Sequence, residues 1–230
     1  VVWVDASTTR VLRVQSDGTV AAGWASGGRP LSGSALGAQV ISDGAGGLYA
    51  SWVKWGLVVI GTEALNQPCF HLERLGPDGQ AWPGWPGGGR TIGLDTEQRE
   101  LVSGCAVALD PGGDLWAAWI ETSFNVTGSS WTLLPGTTRV LRLTSQGVRA
   151  PTWPIRGVAL AAFPSADLPE IYAGSASTWW ITTITRFVAV AADAREGACV
   201  LAGAGTWDPD AQTEYFAPRL YRVDAGGATA

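Results

Sequence analysis

Residues 71–93 read HLERLGPDGQAWPGWPGGGRTIG, an alternating charged and apolar start that runs into three Pro, two Trp and a string of Gly. Taken alone, such a run fits a ligand loop, a low-complexity linker or the punctuation of a repeated fold. Its neighbours decide between these. VLRVQSDGTVAAGWASGGRPL (11–31), LERLGPDGQAWPGWPGGGRTI (72–92) and VLRLTSQGVRAPTWPIRGVAL (140–160) align without a gap. In each, an Arg (Arg13, Arg74, Arg142) is followed after five residues by a Gly (Gly18, Gly79, Gly147). A Trp follows six residues later (Trp24, Trp85, Trp153), and Leu31, Ile92 or Leu160 seven after that. LYRVDAGGATA (220–230) opens a fourth copy at Arg222. The stretch is therefore one phase of a repeat.

A second half-repeat alternates with the first. AQVISDGAGGLYASWV (38–53) matches SGCAVALDPGGDLWAAWI (103–120), with Asp43 and Asp110 each nine residues before Trp52 and Trp119. PEIYAGSASTWWITTIT (169–185) reads as a decayed third copy with Thr183 in the Trp place, and VVWVD at the start supplies the tail of one, with Trp3 in register. Each half-repeat is two apolar or alternating segments around a Gly-rich turn, the pattern of a β-hairpin. With strands A and B around Asp43-Gly44 and strands C and D around Asp78-Gly79, one unit is A-B-C-D. Gly87–Gly89 then falls late in strand D.

Four-stranded units repeating every 67 or 68 residues (Trp52 to Trp119, Arg74 to Arg142) predict an all-β fold, a β-propeller of four-stranded antiparallel blades. The expected blades are 1–34, 35–93, 101–160 and 167–230 in one domain, with B-C-D, A-B-C-D, A-B-C-D and A-B-C strands; the first and last are incomplete. The D-G-x-G-G turn with its late Trp is similar to the propeller repeats of uncharacterised secreted bacterial proteins. That resemblance covers most of the chain and implies a scaffold rather than an activity.

Composition agrees with many short strands. The 230 residues hold 31 Gly, 13 Pro and 13 Trp, and only 15% are charged. Net charge is −5, and the 15 basic residues, all Arg but Lys54, are scattered, which argues against nucleic acid as a partner. The apolar runs 56–62 and 157–163 are of strand length, too short for a membrane helix. With no Met and a strand-like opening, the chain reads as one that has lost a leader or is an excerpt of a longer one. Cys69, Cys105 and Cys199 show no CxxC spacing for zinc, and one disulfide plus a thiol is an open arrangement. Asn125-Val126-Thr127 is a glycosylation sequon in a secreted setting.

In an up-and-down meander the A–B and C–D turns lie on one side of the disc and the B–C and D–A links on the other. The variation in length sits in the second set, with B–C loops expected at 54–68, 121–138 and 186–217 and D–A links at 93–100 and 161–168. Variable loops on a rigid scaffold are where binding usually resides. The candidate ligand residues there are Trp55, Trp131, Trp207 and Tyr215 with Asp208 and Asp210, aromatic faces beside carboxylates that suit sugar rings. The same Trp residues would equally pin loops to the blades. The register Trp residues (Trp3, Trp24, Trp52, Trp85, Trp119, Trp153) are expected in the core, and the recurrent Arg residues on a ring or a carboxylate.

The turn residues Asp17, Asp43, Asp78 and Asp110 offer one carboxylate each, a poor calcium set. The single His (His71) and the lack of H-E-x-x-H, G-x-S-x-G, P-loop or G-x-G-x-x-G patterns leave no catalytic, metal or cofactor signature. A glycosidase-type acid pair needs no motif, and Glu63, Asp95, Glu121, Asp167, Glu170 and Asp208 fall on the loop side. The expected function is a non-catalytic extracellular or cell-surface structural or adhesive propeller, self-associating through its incomplete end blades or meeting other cell-surface proteins. A glycan-binding propeller is the alternative, and a glycosidase-like enzyme comes third.

Overall fold

The computed structural model describes residues 1–5, 8–33, 35–60, 63–92, 100–127, 130–133, 136–162, 186–193, 197–208 and 213–229. Among these the fold is all-β, in four antiparallel sheets. The first has order β1 (Val2–Asp5), β2 (Thr8–Val11), β3 (Arg29–Gly33). The second is β4 (Leu36–Ser42), β5 (Leu48–Ile60), β6 (Glu63–Leu75), β7 (Arg90–Ile92). The third places β8 (Glu100–Leu109) beside β9 (Leu115–Thr127), then β11 (Thr137–Leu143) and β12 (Val158–Ala162), with the short β10 (Ser130–Leu133) also on β9. The last is β13 (Arg186–Ala192), β14 (Ala198–Asp208), β15 (Thr213–Val223). In strand letters these are B-C-D, A-B-C-D, A-B-C-D and A-B-C, the four-stranded blades that the repeat predicts, with three described strands in each end sheet.

Each A–B turn is closed by its Asp. The Asp43 carboxylate accepts the N–H groups of Ala45 and Gly47, and Asp110 that of Asp114. The fourth sheet uses Asp193 in the same way, accepting from Gly197 N–H. The expected third A–B copy at 169–185 lies outside the described residues. The hairpin that fills this place is β13–β14 around Asp193, whose ninth following residue is the buried Ala202 instead of a Trp.

Between strands C and D of the first three sheets runs a strap of two successive turns, the same in each. Trp82 N–H donates to Arg74 O, Trp85 N–H to Trp82 O and Gly89 N–H to Pro86 O; Ala21, Trp24 and Gly28, and Ala150, Trp153 and Gly157, repeat these bonds. Strand D begins only at Arg29, Arg90 and Val158, so the Trp-Pro-Gly-Gly-Gly run precedes strand D, a correction to its expected place late in that strand. The reason is steric and polar: Pro83 and Pro86 donate no N–H to a ladder, and Gly84, Gly88 and Gly89 all take positive φ.

Consecutive sheets stack. β1 packs on β4, β8 on β4, β5 and β6, and β13 on β8 and β9. Among the described residues the fourth sheet makes no packing of that extent on the first. One apolar cluster joins the first two sheets through Val11, Trp24, Leu31, Trp52 and Leu75. A larger one joins the second, third and fourth through residues such as Phe70, Leu72, Trp85, Trp116, Trp119, Trp153, Val188 and Val200. Phe70 and Trp119 meet across the second junction with centroids 6.1 Å apart.

The strap Trp locks each blade to the next. Trp24 indole N–H donates to Pro77 O at 2.8 Å and Trp153 to Ala225 O at 3.1 Å. At the middle junction the equivalent carbonyl, Ser145 O, accepts from the Tyr49 hydroxyl at 3.1 Å. The turn glycine two residues on lies flat against the indole: a Cβ on Gly79 would sit 2.9 Å from Trp24, and one on Gly147 only 2.4 Å from Trp85. Both glycines also have φ near +70 to +77°, so this turn demands Gly twice over.

Candidate functional site

The B–C side is built differently from the loops expected there. β5 and β6 stay paired from Leu48↔Leu75 out to Ile60↔Glu63, and β14 and β15 from Ala198↔Val223 out to Asp208↔Thr213. β9 runs past its blade to Thr127 and is met by β10. The segments 54–68, 121–138 and 186–217 are thus largely ladder, a correction to the expected loops, because an extended hairpin satisfies its backbone N–H and C=O groups without further elements.

The candidate aromatic and acidic residues are spread over these arms. Trp55 is on β5 opposite Pro68 and is 54% exposed, whereas Trp52, three residues earlier, is fully buried. Trp131 is on β10 opposite Val126. On the last arm Trp207 faces Glu214, Asp208 faces Thr213 and Tyr215 faces Thr206 in the backbone register; Asp210 lies outside the described residues. Three arms of three different sheets therefore carry one Trp each, Trp55, Trp131 and Trp207, at the same end of the blades.

The buried charged groups are engaged in blade packing. Arg74 spans from β6 to the A–B turn, with Nη2 2.8 Å from Asp43 Oδ2, and its guanidinium lies 3.8 Å from the Trp82 ring centre and 5.2 Å from that of Tyr49. Arg142 repeats this with Asp110 and Trp116, and Arg222 pairs with Asp193. Arg74 and Arg142 thus take both expected partners at once, though neither ring is a register Trp, whereas Arg13 donates to Gly46 O. Glu121 is held between Arg139 and Arg156. Glu73 receives Arg29 of the preceding blade at 2.7 Å; burial raises its pKa and the Arg29 charge works against that rise.

His71, the single histidine, stacks on Trp52 with centroids 5.7 Å apart and planes 17° from parallel. Burial, and secondarily the Lys54 charge, lowers its pKa to about 4. It is therefore a neutral, enclosed ring at neutral pH. Burial likewise pushes the Cys105 thiol up to about 12 and raises that of Cys69, so neither offers a ready thiolate. The three cysteines, on β6, β8 and β14, form no disulfide with one another.

The carboxylates of the Asp-Gly turns act as turn acceptors: Asp17 takes the N–H and hydroxyl of Thr19, and Asp78 the N–H of Gln80. Among the described residues no three His, Cys, Asp or Glu side chains gather as a metal site. An open groove of about 630 Å³ lies between the first two straps, lined by Arg13, Val14, Ala21, Pro77 and Asp78. It is on the turn side of the blades, opposite the arms that carry the aromatic candidates. No family model, curated protein or solved structure matches the chain.

Proposed function

We propose that this chain is a structural and adhesive β-propeller unit of the cell exterior, without catalytic activity, which self-associates through its end blades. The observation that carries the reading is the pair of end sheets with three described strands each, in which β1 and β15 have, among the described residues, no strand beside them where the two middle sheets have a fourth. Open strand edges recruit other strands unless they are blocked. The pairing of buried Asp and Glu with Arg supports it, since those charges serve blade packing. The resemblance of the repeat to propeller repeats of secreted bacterial proteins supports an extracellular setting.

Light scattering and negative-stain electron microscopy across a concentration series test this reading. Oligomers that grow with concentration are expected, and a single monomeric species throughout would contradict it.

Exposed Trp55 favours a second reading, a glycan-binding surface along the arms, because a half-exposed indole offers a stacking face for a sugar ring. A glycan array with Trp55→Ala, Trp131→Ala and Trp207→Ala controls tests it. Binding lost in at least one variant is expected; no binding by the parent protein would exclude it.

A further inference from the structure

We propose that the β5–β6 and β9–β10 arms bound a binding cleft for an uncharged glycan chain, with an apolar wall led by Trp55 on the first arm and a hydroxyl- and amide-rich wall on the second. This names the site and the ligand class for the glycan reading above, on which it rests.

Residues two apart on a strand, and residues opposite each other in a ladder, share one face of a sheet. In the second sheet the face of Ala50 and Trp52 belongs to the cluster shared with the first sheet, and Glu73, opposite Ala50, receives Arg29 from that side. The face of Val53 looks the other way. Phe70, its partner in the ladder, meets Trp119 of the third sheet, and the Tyr49 hydroxyl donates to Ser145 O there. Trp119 in turn marks the face that the third sheet turns to the second. Cys105, opposite Trp119, lies on that same face, with its Sγ 4.0 Å from Gly37 O.

Carried outward along the ladders, these faces assign the arms. Trp55, Leu57 and Val59, with Pro68, Asn66 and Ala64 opposite them, stand on the β5–β6 face toward the third sheet. Ser123, Asn125 and Thr127 stand on the β9 face toward the second, with Glu100, Thr132 and Ser130 opposite them in that order. The other face of the β9–β10 arm carries Phe124, Val126, Trp131 and Leu133. This arm therefore alternates, and its polar side is the one turned to Trp55. Packing between the two sheets ends at the foot of the arms: Val53 and Phe70 are covered and Glu121 is enclosed between Arg139 and Arg156. Trp55, two residues beyond Val53 on the same face, is 54% exposed.

An open indole facing hydroxyls and amides suits a pyranose ring, whose C–H face stacks on the Trp while its hydroxyls bond to the opposite wall. Charge selects the class of sugar. Glu100 and Glu121 balance Arg139 and Arg156, and both guanidinium groups are held by Glu121 at the foot. Lys54, opposite Cys69, stands on the other face of β5. The assigned walls thus hold no surplus cation for a uronate or a sulfate, and Glu100 repels them.

Binding to an array of neutral and uronic-acid oligosaccharides, followed by isothermal titration of the strongest neutral hit, tests this. The parent chain is expected to bind neutral chains in preference to acidic ones. Trp55→Ala weakens that binding at least about tenfold, and Trp55→Tyr, which keeps an aromatic face, stays within about threefold of the parent. Asn125→Leu combined with Thr132→Val, on the polar wall, also weakens it several-fold. Trp131→Ala and Trp207→Ala leave it unchanged, because both positions lie on faces turned away from this cleft. Far-UV circular dichroism and urea midpoints confirm that each variant is folded. Glu100→Lys is the second variant for the polar wall and shifts the preference toward acidic chains.

Neutral binding that survives in Trp55→Ala and is lost in Trp131→Ala or Trp207→Ala overturns this cleft and leaves a glycan surface elsewhere on the arms. A parent chain that prefers acidic oligosaccharides overturns the ligand class. No glycan binding by the parent contradicts both this cleft and the reading on which it rests.

Discussion

Substituting the turn glycine of three consecutive straps by Ala separates the contact between blades from the turn itself. Gly18, Gly79 and Gly147 have φ of 86, 77 and 70°, so each Ala places an L side chain in a left-handed turn. That alone costs about 1–2 kcal/mol. At Gly18 nothing more is added, since no described atom lies within 4 Å of the new methyl. At Gly147 the methyl would stand 2.4 and 2.7 Å from Cη2 and Cζ2 of Trp85, a buried ring held edge-on against Tyr49 with centroids 5.9 Å apart. Displacing a packed indole adds about 1–3 kcal/mol, for a total of about 2–5 kcal/mol. Gly79, whose nearest ring atom on Trp24 is at 2.9 Å, falls between the two. Urea unfolding followed by far-UV circular dichroism reads the difference as midpoint shifts at unchanged slope. Equal losses at Gly18 and Gly147, within about 0.5 kcal/mol, would refute the reasoning, since the turn would then account for the whole effect.

Three further outcomes follow from buried groups. Arg74→Met leaves the enclosed Asp43 carboxylate without its cation and is expected to cost about 3–5 kcal/mol. Arg222→Met, at a pair whose Arg side chain is 45% exposed, costs below about 1 kcal/mol in the same unfolding assay. Trp52→Ala is expected to cost about 3–5 kcal/mol and Trp55→Ala to stay within about 0.5 kcal/mol, although the two stand three residues apart on one strand. Finally, the His71 pKa is about 4 in the fold against 6.5 unfolded, so the unfolded chain takes the proton first and stability falls as pH drops from 6.5 to 4. The full loss approaches about 3 kcal/mol, with Glu73, whose raised carboxyl titrates in the opposite sense, offsetting part of it at the low end. Unfolding midpoints against pH check this, and His71→Gln should remove most of the slope above pH 5.

The strand count was legible because the features that carry it are local. A Gly at positive φ and a Trp at fixed distance from it recur whatever the neighbouring strands do, and they mark the strap at Gly18, Gly79 and Gly147. The A–B hairpin of the fourth sheet was misplaced at 169–185 because Ala202 replaces the register Trp, although Asp193 and Gly197 keep the spacing of Asp43 and Gly47. The arms passed for loops because a two-stranded extension beyond the sheet need not alternate polar and apolar residues. Trp55 stands in the β5–β6 ladder and not in the loop expected there, and its exposure depends on how far that ladder runs, which no local spacing encodes. The Asp43–Arg74 and Asp110–Arg142 pairs leave only a faint trace, a separation of 31 or 32 residues, because they join a turn to a strand that folds back on it.

The central claim is that each blade is locked to the next by a strap Trp lying against the turn glycine of its neighbour. Nuclear Overhauser contacts and proton shifts of these glycines measure this directly. Gly79 and Gly147 should show ring-shifted Hα resonances and contacts to the Trp24 and Trp85 indoles, while Gly18 in the monomer keeps an ordinary shift and shows no indole contact. Ordinary shifts at Gly79 and Gly147, or the same indole contact at monomeric Gly18, would contradict the account.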